Sequence, residues 1–461
     1  MTTTDLPVTT RAETPVRRRA AHGAGGGRGG TLVRTATALM TSTVSSAALG
    51  FLFWVVAARW FPPERVGSAS AVVSSMSLLG GLAQLNLTSL YARFLPTAGS
   101  RSRRLVLTGY AASAAMAVLL GAGFLAFGPG SELTAQPFGG VIFTVAVVTA
   151  AIFFIQDGVL AALRRPSWVP VKNVLASGAK LALLPILAGL ATGSGLVLAW
   201  IIPMLVAMLA VNWWILARLT PAQADSADTT EAIDPREVAG FASAEYVNGL
   251  LTNTVAFLPP VLVAAVLGPA PSAYFYIPWV IGVAATTMLW NIVTSFVVAA
   301  SSDGESARGH VHRALALIAA VVGPATVVLA GAATPLLRIL GADYAAQGAT
   351  GLRLIGLSLP FTGVILLYAA FAMMEKRMWR MVAVQLVSTA GLLAGSWFGL
   401  PRIGLVAPAL ALLVSQAAMA LVLLPDLIRR YRALAPGRAP AAWGAAACTG
   451  RAARNPAVGA E

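Results

Sequence analysis

Three ionisable side chains stand inside long apolar runs: Asp157 in VIFTVAVVTAAIFFIQDGVLAA, Lys180 in NVLASGAKLALLPILAGLA and Glu245 in FASAEYVNGLLTNTVAFLPP. A charge at the centre of a hydrocarbon layer costs roughly 2.5–3.5 kcal/mol on insertion scales, so each is kept against a penalty. An ammonium is a compact cation that suits a phosphate as a point charge, which makes Lys180 the candidate anion-binding group. Asp157 and Glu245 are candidates for a charge pair with it, or for binding a coupling proton or sodium ion. Polar neighbours gather at the same places: Gln156, Asn173, Asn248 and Asn253. Arg34 and Arg93, at the ends of apolar runs, are expected to assist at the mouth of the site, though an arginine there is also an ordinary anchor. Trp290, beside Asn291, is a candidate for stacking on a sugar. The plainer alternatives stand beside these: a packing ion pair for Asp157 and Lys180, and interfacial or packing roles for Trp54, Trp60, Trp279, Trp290 and Trp397.

The elements that must position these groups are membrane spans. The chain has 461 residues, 57% of them hydrophobic and 11% charged, and a mean hydropathy of +0.78. Soluble proteins carry about 25% charged residues, and so few charges cannot cover a soluble surface of this size. A helix of roughly 20 apolar residues crosses a bilayer core, and the pattern predicts an all-α polytopic membrane protein with about 12 such helices. The expected spans are 33–58, 67–93, 105–127, 139–163, 172–191 and 196–217, then 238–267, 273–299, 311–333, 351–374, 379–399 and 403–427. Residues 1–32 read as a disordered basic tail with no cleavable signal peptide, 218–237 as an acidic linker, and 431–461 as a second disordered tail. Most of the 32 basic residues then fall on one side, the cytosolic one, with both termini. By helix depth, Asp157, Lys180 and Glu245 are expected in one slab of the cytosolic half, with Asp157 and Lys180 as neighbours.

The linker divides the chain into two six-helix lobes, 33–217 and 238–430. Six spans is an even number, so the lobes enter from the same side, as parallel repeats do. VVAARWFPPERVGSASAV after the first span is similar to LVAAVLGPAPSAYFYIP after the seventh. Prolines recur within or near the spans, where each removes a backbone donor.

Other functions are disfavoured. The net charge of +15 flanks apolar segments, which points to lipid headgroups and not to nucleic acid. The single cysteine, Cys448, excludes an intramolecular disulfide. GAGGGRGG lacks the Gly-Lys-Ser/Thr ending of a phosphate loop. His310 and His312, and the carboxylates Asp225, Asp228, Glu231 and Asp234, read as surface groups and not as metal ligands. No metal or cofactor is expected. The loops opposite the termini are too short to build an enzyme's site, so no catalytic residue is assigned.

Residues 54–96, WVVAARWFPPERVGSASAVVSSMSLLGGLAQLNLTSLYARFLP, carry a family resemblance, as does LAALRRPSWVPVKN between spans four and five. These segments resemble bacterial polysaccharide flippases, the polysaccharide-transporter branch of the superfamily that includes the multidrug-extruding MATE proteins. The residue-level likeness lies in the first half; the second half matches in pattern. The resemblance implies a monomeric flippase of the bacterial cytoplasmic membrane. Its substrate would be a polyprenyl-pyrophosphate-linked oligosaccharide, moved from inner to outer leaflet by alternating access without ATP hydrolysis. Polysaccharide polymerases and glycosyltransferases would be its partners in cell-surface polysaccharide synthesis. The alternative is a MATE-like, cation-coupled exporter of drugs or other small molecules.

Overall fold

A backbone without water partners must satisfy its hydrogen bonds internally, so apolar runs of this length become helices. The computed structural model describes residues 45–46, 48–128, 139–188, 195–222, 235–302, 307–375 and 377–433. The helices of the first half are α1 (Ala48–Trp60), α2 (Pro63–Ala83), α3 (Leu87–Phe94), α4 (Ser102–Phe127), α5 (Gly139–Ala162), α6 (Trp168–Ala188) and α7 (Gly195–Trp214). Those of the second half are α8 (Pro235–Leu267), α9 (Pro269–Ser302), α10 (Ala307–Gly331), α11 (Ala333–Arg338), α12 (Ala342–Met374), α13 (Met378–Ile403) and α14 (Val406–Ala433). Among the described residues, ten helices are long and apolar enough to cross a membrane. Two shorter apolar segments, Ala48–Trp60 and Leu315–Gly331, bring the number to the expected twelve. The protein is a multi-pass, all-helical membrane protein.

Two helices lie at the centre. α2 is enclosed by α5 of its own lobe and by α8 and α9 of the other, while α12 is enclosed by α9, α10 and α14. The share of residues buried inside the protein separates these two from the periphery, at 83% for α2 and 67% for α12 against 17% for α6. The seam between the lobes therefore runs along α2. Its close approach rests on glycine: a side chain at Gly67 would collide with the Pro269 carbonyl, and one at Gly81 with the Asn253 amide. The Gly67 contact joins the two stretches that resemble each other in sequence, the start of α2 and the start of α9.

The structure departs from the expected spans at two places that matter for the site. The second span, expected unbroken over 67–93, breaks between α2 and α3, where Leu85 and Asn86 both have φ of 52°. Asn86 tolerates that left-handed backbone, and its side-chain oxygen accepts the Ser89 hydroxyl at 3.1 Å. Buried Tyr91 then ties α3 to α4 by donating to the carbonyls of Leu105 and Val106. The fifth span begins at Trp168 and not at 172. Pro170 falls within its first turn, where a missing N–H is tolerated, and Trp168 packs on Trp214 with ring centroids 4.7 Å apart. The tails and most of the acidic linker lie outside the described residues.

Candidate functional site

The early start of α6 resets the depth of its lysines. Asp157 stands five residues before the end of α5 and Lys172 four residues after the start of α6. At 1.5 Å per residue both lie about 6–8 Å from the connecting turn. They pair: Lys172 Nζ is 2.6 Å from Asp157 Oδ1. The same ammonium donates to the Phe153 carbonyl at 2.6 Å and sits 3.6 Å from the centroid of the Phe153 ring. The Lys172 side chain is 1% exposed and that of Asp157 35%. Asp157 thus has Lys172 as its partner, in place of the expected Lys180. Next to it Gln156 donates its amide to the Met208 carbonyl at 2.8 Å and to the Asn212 side-chain oxygen at 2.6 Å, joining α5 to α7.

Lys180 lies twelve residues into α6, about 18 Å from its start and two turns deeper than Asp157. Its ammonium rests 3.8 Å from the centroid of the Trp200 ring on α7. Among the described residues it has no carboxylate within salt-bridge distance and no hydrogen-bond acceptor; the ion pairs there are Lys172–Asp157, Arg377–Glu375, Arg430–Glu375 and Arg430–Asp426. An ammonium carries three donors. At Lys180, near the middle of a spanning helix, the contact these donors make among the described residues is with a π surface.

Behind that indole lies an aromatic group drawn from three helices. Trp200 meets Phe53 at 5.1 Å and Trp54 at 5.6 Å between ring centroids, both from α1. Trp54 in turn meets Tyr276 of α9, in the other lobe, at 4.7 Å. Trp200 is five residues from the start of α7, Trp54 six from the end of α1, and Tyr276 seven from the start of α9. Each lies about 8–11 Å from that end of the bundle, so the four rings and the ammonium share one level. Phe53 and Trp54 are each 1% exposed, which makes them a wall and not a binding surface.

The remaining candidates occupy other places. Asn253 donates its amide to the Leu78 carbonyl at 2.8 Å, and Tyr246 its hydroxyl to that of Leu82 at 3.4 Å, both across the lobe seam. Glu245, beside Tyr246, has a buried Oε2 without a hydrogen-bond partner. Asn248 is half-buried, and its carbonyl accepts the Thr252 hydroxyl. Trp290 packs among Ala369, Ala372 and Met381. No hydrogen bond, ion pair or ring contact joins Asn248, Asn253 or Trp290 to Lys180. Arg93 is exposed on α3, its guanidinium 5.7 Å from the Phe94 ring centroid, and Arg34 lies outside the described residues. At the end of the bundle away from α14's basic last turn, Arg59 Nε donates to the Ile339 carbonyl at 2.8 Å and ties the two lobes together.

Sequence reasoning missed Lys172 and Trp200. Lys172 reads as the basic flank of a span when the span is started one turn late. Trp200 could have been found by counting from the short turn before α7, which sets it level with Lys180.

Solved membrane transporters share this architecture. The chain superposes on the inward-facing conformation of a multidrug resistance MATE family transporter of the MOP superfamily with a TM-score of 0.62, at 15% identity, covering 85% of this chain and 95% of that one. The outward-facing conformation described in the same terms gives 0.52. The lipid II flippase MurJ, in an inward closed conformation, gives 0.58 at 15% identity over 85% of this chain and 89% of that one. A MOP superfamily transporter from Pyrococcus furiosus, described as having a binding pocket of reversed polarity that suggests a different function, gives 0.53 at 14% identity over 87% and 96%. No family model and no curated protein matches the sequence. The fold is that of the MATE-like transporters, two six-helix lobes about a central seam. The lipid II flippase MurJ has the same fold.

Proposed function

We propose that this protein is a flippase for an anionic lipid-linked oligosaccharide, of the polyprenyl-pyrophosphate type, in bacterial cell-surface polysaccharide synthesis. The observation that carries the reading is Lys180: a mid-span ammonium that has, among the described residues, no counter-ion and no acceptor, and rests on an indole face. The pyrophosphate would supply the acceptors the fold withholds. Charge-assisted bonds to phosphate are among the stronger polar contacts, so the anion outcompetes the ring. Substrate sites at the mid-depth of two-lobed transporters suit alternating access. In this reading the protein works as a monomer in the cytoplasmic membrane with both termini cytosolic. The inner-leaflet donor is made by glycosyltransferases and passed to a polymerase.

A cation-coupled drug exporter fits the same fold less well. Such a site needs a free carboxylate, and Asp157 is neutralised by Lys172. Among the described residues Glu245 has a buried carboxylate oxygen without a hydrogen-bond partner, which would be the candidate for a coupling proton or sodium ion. The test is translocation of a fluorescent polyprenyl-pyrophosphate disaccharide in liposomes, read by quencher accessibility. Wild type is expected to move the lipid, Lys180→Arg to retain part of the rate, and Lys180→Met to lose it. Full transport by well-folded Lys180→Met overturns the assignment.

A further inference from the structure

We propose that Trp200 is a positioning residue: it holds the Lys180 ammonium while the site is empty, and its release when an anion binds is passed through Trp54 and Tyr276 to the seam between the lobes. This rests on the assignment of Lys180 as the anion-binding group. The geometry supplies both halves of the argument. On one side, the ammonium 3.8 Å from the Trp200 centroid makes a cation–π contact and, among the described residues, no ion pair or hydrogen bond. That contact is weak enough to be exchanged for a pyrophosphate and strong enough to fix the side chain in its absence. On the other side, the Trp200 ring packs on Phe53 and Trp54, and Trp54 packs on Tyr276 of the opposite lobe at 4.7 Å. A ring that loses its cation on one face keeps these contacts on its other sides. Any shift it makes is passed to a wall that is 1% exposed, and close-packed interiors transmit strain.

The contrast with Lys172 sharpens the assignment. Lys172 also sits on a ring, 3.6 Å from Phe153, yet it has a carboxylate and a carbonyl besides. An incoming anion there would have to displace a carboxylate. At Lys180 it displaces only the indole. A purely structural tryptophan would stabilise the site, and its loss would weaken binding. A competing partner does the opposite, because removing it raises the availability of the ammonium.

The experiment measures binding of farnesyl pyrophosphate to the purified full-length protein in detergent, together with transport of the fluorescent disaccharide lipid in liposomes. Trp200→Leu is expected to bind the probe about 2- to 30-fold more tightly, the span given by 0.5–2 kcal/mol for one cation–π contact at 1.4 kcal/mol per tenfold. It is expected to transport several-fold more slowly. Trp200→Phe keeps a weaker π face and should lie between the two. Tyr276→Leu, which cuts the relay beyond the indole, is expected to bind the probe within about 2-fold of wild type while transport falls several-fold. Weaker binding in Trp200→Leu and Trp200→Phe, or unchanged transport in Trp200→Leu and Tyr276→Leu, overturns the proposal. Lys180→Met separates the two levels of the argument. If it binds the probe as wild type does, the anion site itself is wrong. If it loses binding while the Trp200 variants behave as wild type, only the role of Trp200 falls.

Discussion

Breaking the Lys172–Asp157 pair should cost more from one side than from the other, and the asymmetry follows from exposure. Asp157→Ala leaves an ammonium whose side chain is 1% exposed, with only the Phe153 carbonyl and ring to hold it. Breaking a buried pair in this way costs about 3–5 kcal/mol, and the surviving contacts offset roughly 1 kcal/mol of it, so about 2–4 kcal/mol is expected. Lys172→Met leaves instead a carboxylate that is 35% exposed, which water can still solvate. Its cost is expected at about 1–2 kcal/mol. The double variant should recover most of the difference, with a coupling of about 2 kcal/mol. The same cycle between Asp157 and Lys180, about 10 Å apart along the bundle, should give less than about 0.5 kcal/mol. Equilibrium unfolding in mixed SDS micelles measures all of these. Coupling of Asp157 to Lys180 that equals its coupling to Lys172, or equal costs for the two single variants, would refute the depth assignment on which the site is built.

Two further outcomes test the seam. Gly67→Ala drives a methyl group into the Pro269 carbonyl on backbone that cannot yield cheaply, and should destabilise the protein by about 1–3 kcal/mol in the same unfolding assay. Gly81→Ala meets the Asn253 side-chain amide, which can rotate, and should cost less. Arg59→Ala removes the bond to the Ile339 carbonyl at an exposed site, so stability should change by less than about 1 kcal/mol. The end of the bundle it closes should open more often. In a Cys448→Ser background, a cysteine replacing buried Ala273 is expected to react faster with a maleimide when Arg59 is alanine, and an unchanged labelling rate would deny Arg59 a closing role.

The number of spans and the two lobes were legible because apolar run length is a strong signal, and because basic flanks mark where each run ends. The site was legible only as residue types. Lys180 announced itself as a charge in an apolar run, but its neighbours depended on where α6 begins. That boundary was hidden by Pro170, which reads as loop in sequence and sits in the first turn of the helix in the structure. An error of four residues is about 6 Å along a helix, enough to set Lys180 beside Asp157 on paper and leave Lys172 as a flank. The break at Leu85 and Asn86 was illegible for another reason: neither residue is a glycine, and the left-handed backbone is imposed by how α3 docks on α4 through Tyr91. Trp200 was passed over because a tryptophan in an apolar run signals packing, and only a three-dimensional neighbour makes it a partner for a cation.

Which ligand the middle of the bundle favours turns on which lysine the fold neutralises. Lys172 and Lys180 are eight residues apart on one helix, on similar apolar ground, and each lies over an aromatic ring. Had Asp157 been level with Lys180, an anion would have had to break an ion pair to bind, against a cost of about 3–5 kcal/mol for the stranded charge. With Asp157 spent on Lys172, the anion displaces a cation–π contact worth about 0.5–2 kcal/mol. The difference, about 1 kcal/mol or more, converts to a gain of about fivefold or more in affinity for an anion at Lys180, without any added positive charge. A cationic ligand bound against Trp200 would instead meet the Lys180 ammonium. On the proposed assignment of Lys180, anion selectivity is set less by the presence of a lysine than by the turn between α5 and α6, which hands Asp157 to Lys172.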